Sequence, residues 1–141
     1  MKVCFFDDDC PLCCGTVHWI HRRDRLGEIW FAALGSDFAA QHREALNLPE
    51  AGVNAESFAF WVQEREGEQE GGLIVFKSEA VMALLRELGG GWAGLAVLLA
   101  IIPLVVRDAG YDLVARNRRK CFGTREGCVL SPPSLREKFL R

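Results

Sequence analysis

A single tyrosine, two methionines and five prolines are spread over 141 residues, and neither sign of charge dominates. Seventeen Lys and Arg against nineteen Asp and Glu give a formal net charge of −2. That balance excludes a generally basic nucleic-acid binder, which needs a cationic face to neutralise phosphates. Six cysteines fall well short of the density of a secreted disulfide scaffold. A chain of this length buries enough surface to fold without a disulfide or a metal. Long apolar runs are scarce too. The first, Val3 to Phe6, ends at Asp7-Asp8-Asp9 and is too short for a signal peptide. The expected compartment is therefore the cytoplasm, where thiols stay reduced unless they are catalytic, sensing or metal-bound.

Leu88 to Val106 carries no charged side chain, but Gly89, Gly90, Gly91 and Gly94 crowd its start and Pro103 sits near its end. The dense part, Leu95 to Ile102, is shorter than a bilayer core requires. Gly89–Gly91 reads as a helix stop and Pro103 as the start of the next helix. The expectation is a buried core helix rather than a membrane span. The alternative is an apolar 95–106 face that docks on a membrane or a partner.

What is present, half apolar and 26% charged, is a globular balance. Lys2 to Phe6 predicts a buried strand and Pro11 to about Arg23 a helix, broken at Gly27. Ile29 to Leu34 predicts a second strand, parallel to the first through a right-handed crossover. Ser36 and Asp37 offer caps for a helix to about Leu46. Phe58 to Val62 and Leu73 to Phe76 predict an antiparallel hairpin around the charged, glycine-containing segment between them. Ser78 is read as the cap of a helix with Val81, Met82, Leu84, Leu85 and Leu88 on its apolar face. Pro103 to Arg119 suggests another helix, with Val106, Ala109 or Gly110, Leu113 and Val114 on one side. Ser134-Leu135-Arg136-Glu137 fits a capping box for a last short helix. The fold expected is α/β: a thioredoxin-like β-α-β-α-β-β-α core over 1–90, with a helical C-terminal extension over 91–141 packed on it as one structural domain.

The chemistry-bearing motif is Cys10-Pro11-Leu12-Cys13, placed between the first strand and the first helix. With Cys10 as N-cap, Pro11 falls at the first helical position, where its missing N–H costs nothing. The Cys10 sulfur then faces unpaired backbone N–H groups, and these together with the helix dipole stabilise a thiolate. Cys13 lies one turn along, placed to resolve a mixed disulfide formed at Cys10. C-x-x-C is also a zinc spacing, but the strand–motif–helix context favours redox chemistry. Asp7, at the strand end, is the candidate to shuttle a proton for Cys13. Asp8 and Asp9 read as a solvated loop.

Phe6-Asp7-x-x-Cys10-Pro11-Leu12-Cys13 resembles the signature of the DCC family of predicted thiol-disulfide oxidoreductases, named for an Asp and two Cys. Ser57-Phe58 and Ser78-Glu79-Ala80-Val81 fit that family's hairpin and following helix. Tyr111-Asp112-Leu113-Val114-Ala115-Arg116-Asn117-Arg118, with Phe122-Gly123, is similar to its C-terminal motif. The resemblance implies a thioredoxin-like fold, a dithiol–disulfide function, and a thiol or disulfide substrate, protein or small molecule. It also implies that Arg116 and Asn117 serve more than solubility. Two departures stand out. Asp8 occupies a place where the family usually has Gly. No proline precedes Phe58, where thioredoxins set a cis-proline opposite the motif; Ser57 or Glu56 takes that place.

Other cysteines read more plainly. Cys4 falls within a strand and Cys14 directly after the motif, both as packing residues. Cys14, His18 and His21 share one helical face, a spacing that also suits metal ligands. Cys121 and Cys128 read first as buried thiols, next as a second disulfide, and last as partners of Cys10 and Cys13 in a zinc site. Arg116, Arg118, Arg119 and Lys120 cluster near a helix end, where the dipole and solvent accommodate them. Three function classes result. The first is a thiol-disulfide oxidoreductase with Cys10, Cys13 and Asp7 as its site, no cofactor and no metal. The second is a zinc-stabilised structural domain, and the third a binding module using the 95–106 face.

Overall fold

The computed structural model describes residues 2–7, 10–44, 59–64, 71–122 and 133–140. Strand β1 (Lys2–Phe6) runs into helix α1 (Pro11–Arg23), then β2 (Ile29–Ala33) and the short α2 (Asp37–Gln41). Strands β3 (Ala59–Glu64) and β4 (Gly71–Phe76) lead to α3 (Lys77–Leu88), α4 (Gly90–Leu99) and α5 (Leu104–Phe122). A turn of helix, α6 (Pro133–Arg136), and a two-residue strand, β5 (Phe139–Leu140), follow. The five strands form one mixed sheet in the order β4-β3-β1-β2-β5.

The run Val-Cys-Phe-Phe is buried on both faces because β1 lies at the centre of the sheet. Its side chains alternate between two cores. Cys4 and Phe6 pack with Val17 and Ile20 of α1, Phe31 of β2, Phe60 of β3 and Leu84 of α3. Val3 and Phe5 face the other way, onto Ala32, Ala39 and Phe38. Pairing β1 with β2 is parallel, Cys4 opposite Phe31, and pairing with β3 is antiparallel, Cys4 opposite Phe60. The hairpin of β3 and β4 is antiparallel, as its pattern predicts. Strand β5 adds to the sheet edge parallel to β2, an addition that two residues could not announce in the sequence. Leu135 anchors the segment, fully buried in the larger core.

Helix ends follow local chemistry. The Ser36 hydroxyl accepts a hydrogen bond from Ala39 N at 3.2 Å and so caps α2. α2 ends at Gln41, and Leu46, to which the sequence extends it, lies outside the described residues. Asp24 closes α1: one carboxylate oxygen accepts from Gly27 N at 3.0 Å, the other from Ile29 N at 2.9 Å. That clamp fixes the turn into β2, where Gly27 takes φ +64.

Four expectations need correction. Ser78 does not cap α3; β4 runs straight into the helix, Phe76 takes the cap position, and the Ser78 hydroxyl donates to an Asp108 carboxylate oxygen. Ser134 lies inside α6, within hydrogen-bond distance (3.1 Å) of His21 Nε2, so no capping box forms on it. α4 is not a buried core helix: Ala96 is its buried residue, seated against Met82 and Leu85, while Val97 and Leu98 face solvent. An element that is apolar all round carries no periodicity to say which side is covered.

On α5, Val106, Leu113 and Val114 are exposed rather than packed. Polar contacts join α5 to α3. Arg107 pairs with Glu79 at 2.9 Å and Lys77 with Asp112 at 3.2 Å, beside the Ser78–Asp108 bond. α4 and α5 meet at 111°, making an apolar elbow whose tip carries Ile101 and Val105, 78% and 80% exposed. Among the described residues, no single helix is long and apolar enough to cross a membrane.

Candidate active site

Chain geometry carries Cys10 and Cys13 to the first turn of α1, at the end of the central strand. Cys10 N donates to Asp7 O at 3.4 Å, and Cys10 O receives Cys14 N at 3.0 Å, the first bond of the helix. Cys10 is the N-cap with extended backbone, and Pro11 follows at the start of the helix, as the motif predicts. The Cys10 side chain, however, makes no capping hydrogen bond and is 1% exposed. Cys13, one turn on, is half-buried. Asp7 is likewise half-buried at the end of β1.

Cys13 opens onto a groove of about 230 Å³ between α1, α3 and α5. Leu12, Thr16 and Trp19 form its α1 wall, Val81, Leu84 and Leu85 its α3 wall, and Tyr111, Val114 and Ala115 its α5 wall. Among the described residues no charged side chain lines it. The Thr16 hydroxyl donates back to Leu12 O at 2.8 Å, so that donor is committed within the helix. A second cavity, of about 350 Å³, shares Val81 and Tyr111 with the first and extends to Leu99, Ile102 and Val106 at the elbow.

Behind the motif, Cys4 is fully buried. Burial pushes its thiol well above the usual range, and negative charge on neighbouring Cys13 adds to the shift. Cys4 is thus held as a neutral thiol beneath the site. Cys14 is buried in the larger core. Among the described residues no group of three or more His, Cys, Asp and Glu gathers around a metal position, so Cys14, His18 and His21 form no such cluster. Cys128, the side chain of Cys121, Asp8, Asp9 and Ser57-Phe58 lie outside the described residues. The sequence did not single out the groove, because its walls come from three helices distant in the chain. Of the α5 residues that the apolar pattern places on one side, Val114 is the one that lines it.

A family model described as DCC1-like thiol-disulfide oxidoreductase matches residues 4–124. The chain belongs to that family. It is 36% identical over 139 residues to the uncharacterized protein YuxK of Bacillus subtilis, covering 99% of this chain and 93% of that one. It is 32% identical over 128 residues to a DCC family protein of Arabidopsis thaliana named as chloroplastic, covering 91% and 69% of the two chains. No solved structure matches. The family name supports a redox function and, in general terms, thiol or disulfide substrates.

Proposed function

We propose that the protein is an enzyme that exchanges two electrons with a thiol or disulfide substrate through the Cys10–Cys13 pair. The observation that carries this reading is a C-x-x-C at the start of the helix following the central strand, with Cys13 lining an open groove. The sheet order β4-β3-β1-β2, with β1 and β2 parallel and β3–β4 a hairpin, supports a thioredoxin-like core for it. A cytoplasmic setting would poise the pair toward reducing its substrates.

In the reducing direction, a thiolate of the pair attacks one sulfur of the substrate disulfide. That S–S bond breaks, the leaving thiolate takes a proton, and a mixed disulfide remains. The second cysteine attacks the enzyme sulfur of the mixed disulfide, forms the Cys10–Cys13 bond and releases the other substrate thiol. The protein loses two electrons and two protons; the substrate gains them. Asp7 is assigned the proton transfer at Cys13. In the order the helix N-terminus favours, Cys10 attacks and Cys13 resolves. Burial favours the reverse order, since Cys13 is the more exposed sulfur.

Thiol trapping with peptide mapping across a graded redox buffer tests the reading. It expects a reversible Cys10–Cys13 disulfide with a defined midpoint potential. Two cysteines that alkylate freely at every poise would overturn it.

One observation favours a second reading, attachment to a lipid surface: the 88–106 segment holds no charged side chain and the elbow presents its apolar residues outward. Vesicle flotation of Val105→Asp beside the parent chain distinguishes the two, because attachment would be lost while the redox midpoint stayed unchanged.

A further inference from the structure

Three features bear on which disulfide this pair would meet, and the inference rests on the redox reading above. Cys10 is 1% exposed and Cys13 half-buried, so a substrate approaching the folded protein reaches the Cys13 sulfur first. Cys13 lines a groove whose other walls, among the described residues, are hydrocarbon or aromatic apart from the hydroxyls of Thr16 and Tyr111, with no charge there to pair with an ionised substrate. The groove adjoins a second cavity through Val81 and Tyr111, whose lining toward the elbow is apolar at Leu99, Ile102 and Val106 but also includes Ser78 and Arg107, so the uncharged surface is that of the groove beside Cys13. A carboxylate or ammonium group entering the groove beside Cys13 would lose its hydration without a charged partner among the described lining residues, whereas an alkyl chain gains by burying its methylenes there. A volume of about 230 Å³ exceeds the roughly 150 Å³ apolar cavity that takes up benzene.

We propose that Cys13 is the entry thiol and that the groove beside it selects disulfides carrying an uncharged apolar group. The Cys13 thiolate attacks the sulfur bearing that group while the alkyl chain occupies the space between Leu85, Val81 and Val114. The first alkyl thiol leaves with a proton. Cys10 then attacks Cys13, closing the intramolecular disulfide and releasing the chain from the groove as the second thiol. A small dithiol such as dithiothreitol restores the reduced pair.

The probes are di-n-butyl disulfide, the similarly reactive but polar bis(2-hydroxyethyl) disulfide, and the charged glutathione disulfide. Oxidation of the reduced protein by each is normalised to the rate of the same disulfide with free dithiothreitol. The expected result is a normalised rate at least tenfold higher for the butyl compound than for either other. Val114→Gln, at a half-exposed groove position, lowers that ratio at least threefold; Val105→Gln, which lines neither cavity, leaves it unchanged. Cys10→Ser accumulates a butyl mixed disulfide at Cys13.

A ratio near one, or a mixed disulfide that accumulates in Cys13→Ser and not in Cys10→Ser, overturns this inference. Either result leaves intact a reversible Cys10–Cys13 disulfide in the redox titration. Absence of that disulfide overturns the functional reading itself.

Discussion

Trp19 of α1 meets Trp92 of α4 edge to face, ring centroids 4.7 Å apart at 78°, with the Arg23 guanidinium 4.4 Å from the Trp19 ring. This contact ties the glycine-rich start of α4 to the helix that carries the motif. It also stands behind one wall of the groove, since Trp19 lines it. Aromatic pairs of this geometry contribute about 0.5–1.5 kcal/mol beyond the area they bury. Trp92→Ala is expected to cost on the order of 2–3 kcal/mol in denaturant unfolding. A loss within about 0.5 kcal/mol would show that α4 is not held through this pair.

Gly89 turns the chain between α3 and α4 at φ +67, ψ −171, a region that side-chain-bearing residues avoid. A Cβ there meets nothing within 4 Å, so any penalty comes from the backbone and not from a clash. Gly89→Ala should destabilise by about 1–3 kcal/mol, and Gly91→Ala, without positive φ, should not. Equal effects at the two sites would refute the backbone account.

Cys4 makes stability depend on pH in a defined direction. Its folded-state thiol holds its proton more tightly than the unfolded one, whose reference value is 9.0. Below that value both states are protonated and the group is silent. As pH rises above it, the unfolded chain ionises first and is favoured, by up to about 1.4 kcal/mol per pH unit. Cys4→Val should therefore flatten the loss of stability above about pH 9 relative to the parent chain. Parallel slopes in urea titrations from pH 8 to 10 would rule out a contribution from Cys4.

Asp7 accepts from Cys10 N through its backbone carbonyl, a contact that survives a change of side chain. Asp7→Asn is expected to slow disulfide exchange by roughly ten- to a hundredfold at neutral pH, as read by single-turnover rates on the folded protein. Unaltered single-turnover rates would remove Asp7 from the mechanism.

The element order through α3 was legible because each signal is local. Alternation and apolar content mark β1 and β2, proline at the helix start marks α1, and Ser36 marks α2. The motif was legible for the same reason: strand end, Cys10, Pro11 and Cys13 are contiguous. What the sequence by itself determined is thus the family, the mixed α/β character and the residues on which a redox reading turns. Tertiary structure decided which sulfur meets solvent, since the burial of Cys10 and partial exposure of Cys13 depend on what packs over one turn of helix. It also decided that α5 meets α3 through Arg107, Asp108 and Asp112 while Leu113 stays exposed and Val114 borders the groove. Apolar residues announce that they can be buried, and only the shape and charge of the neighbouring helix settle which of them are.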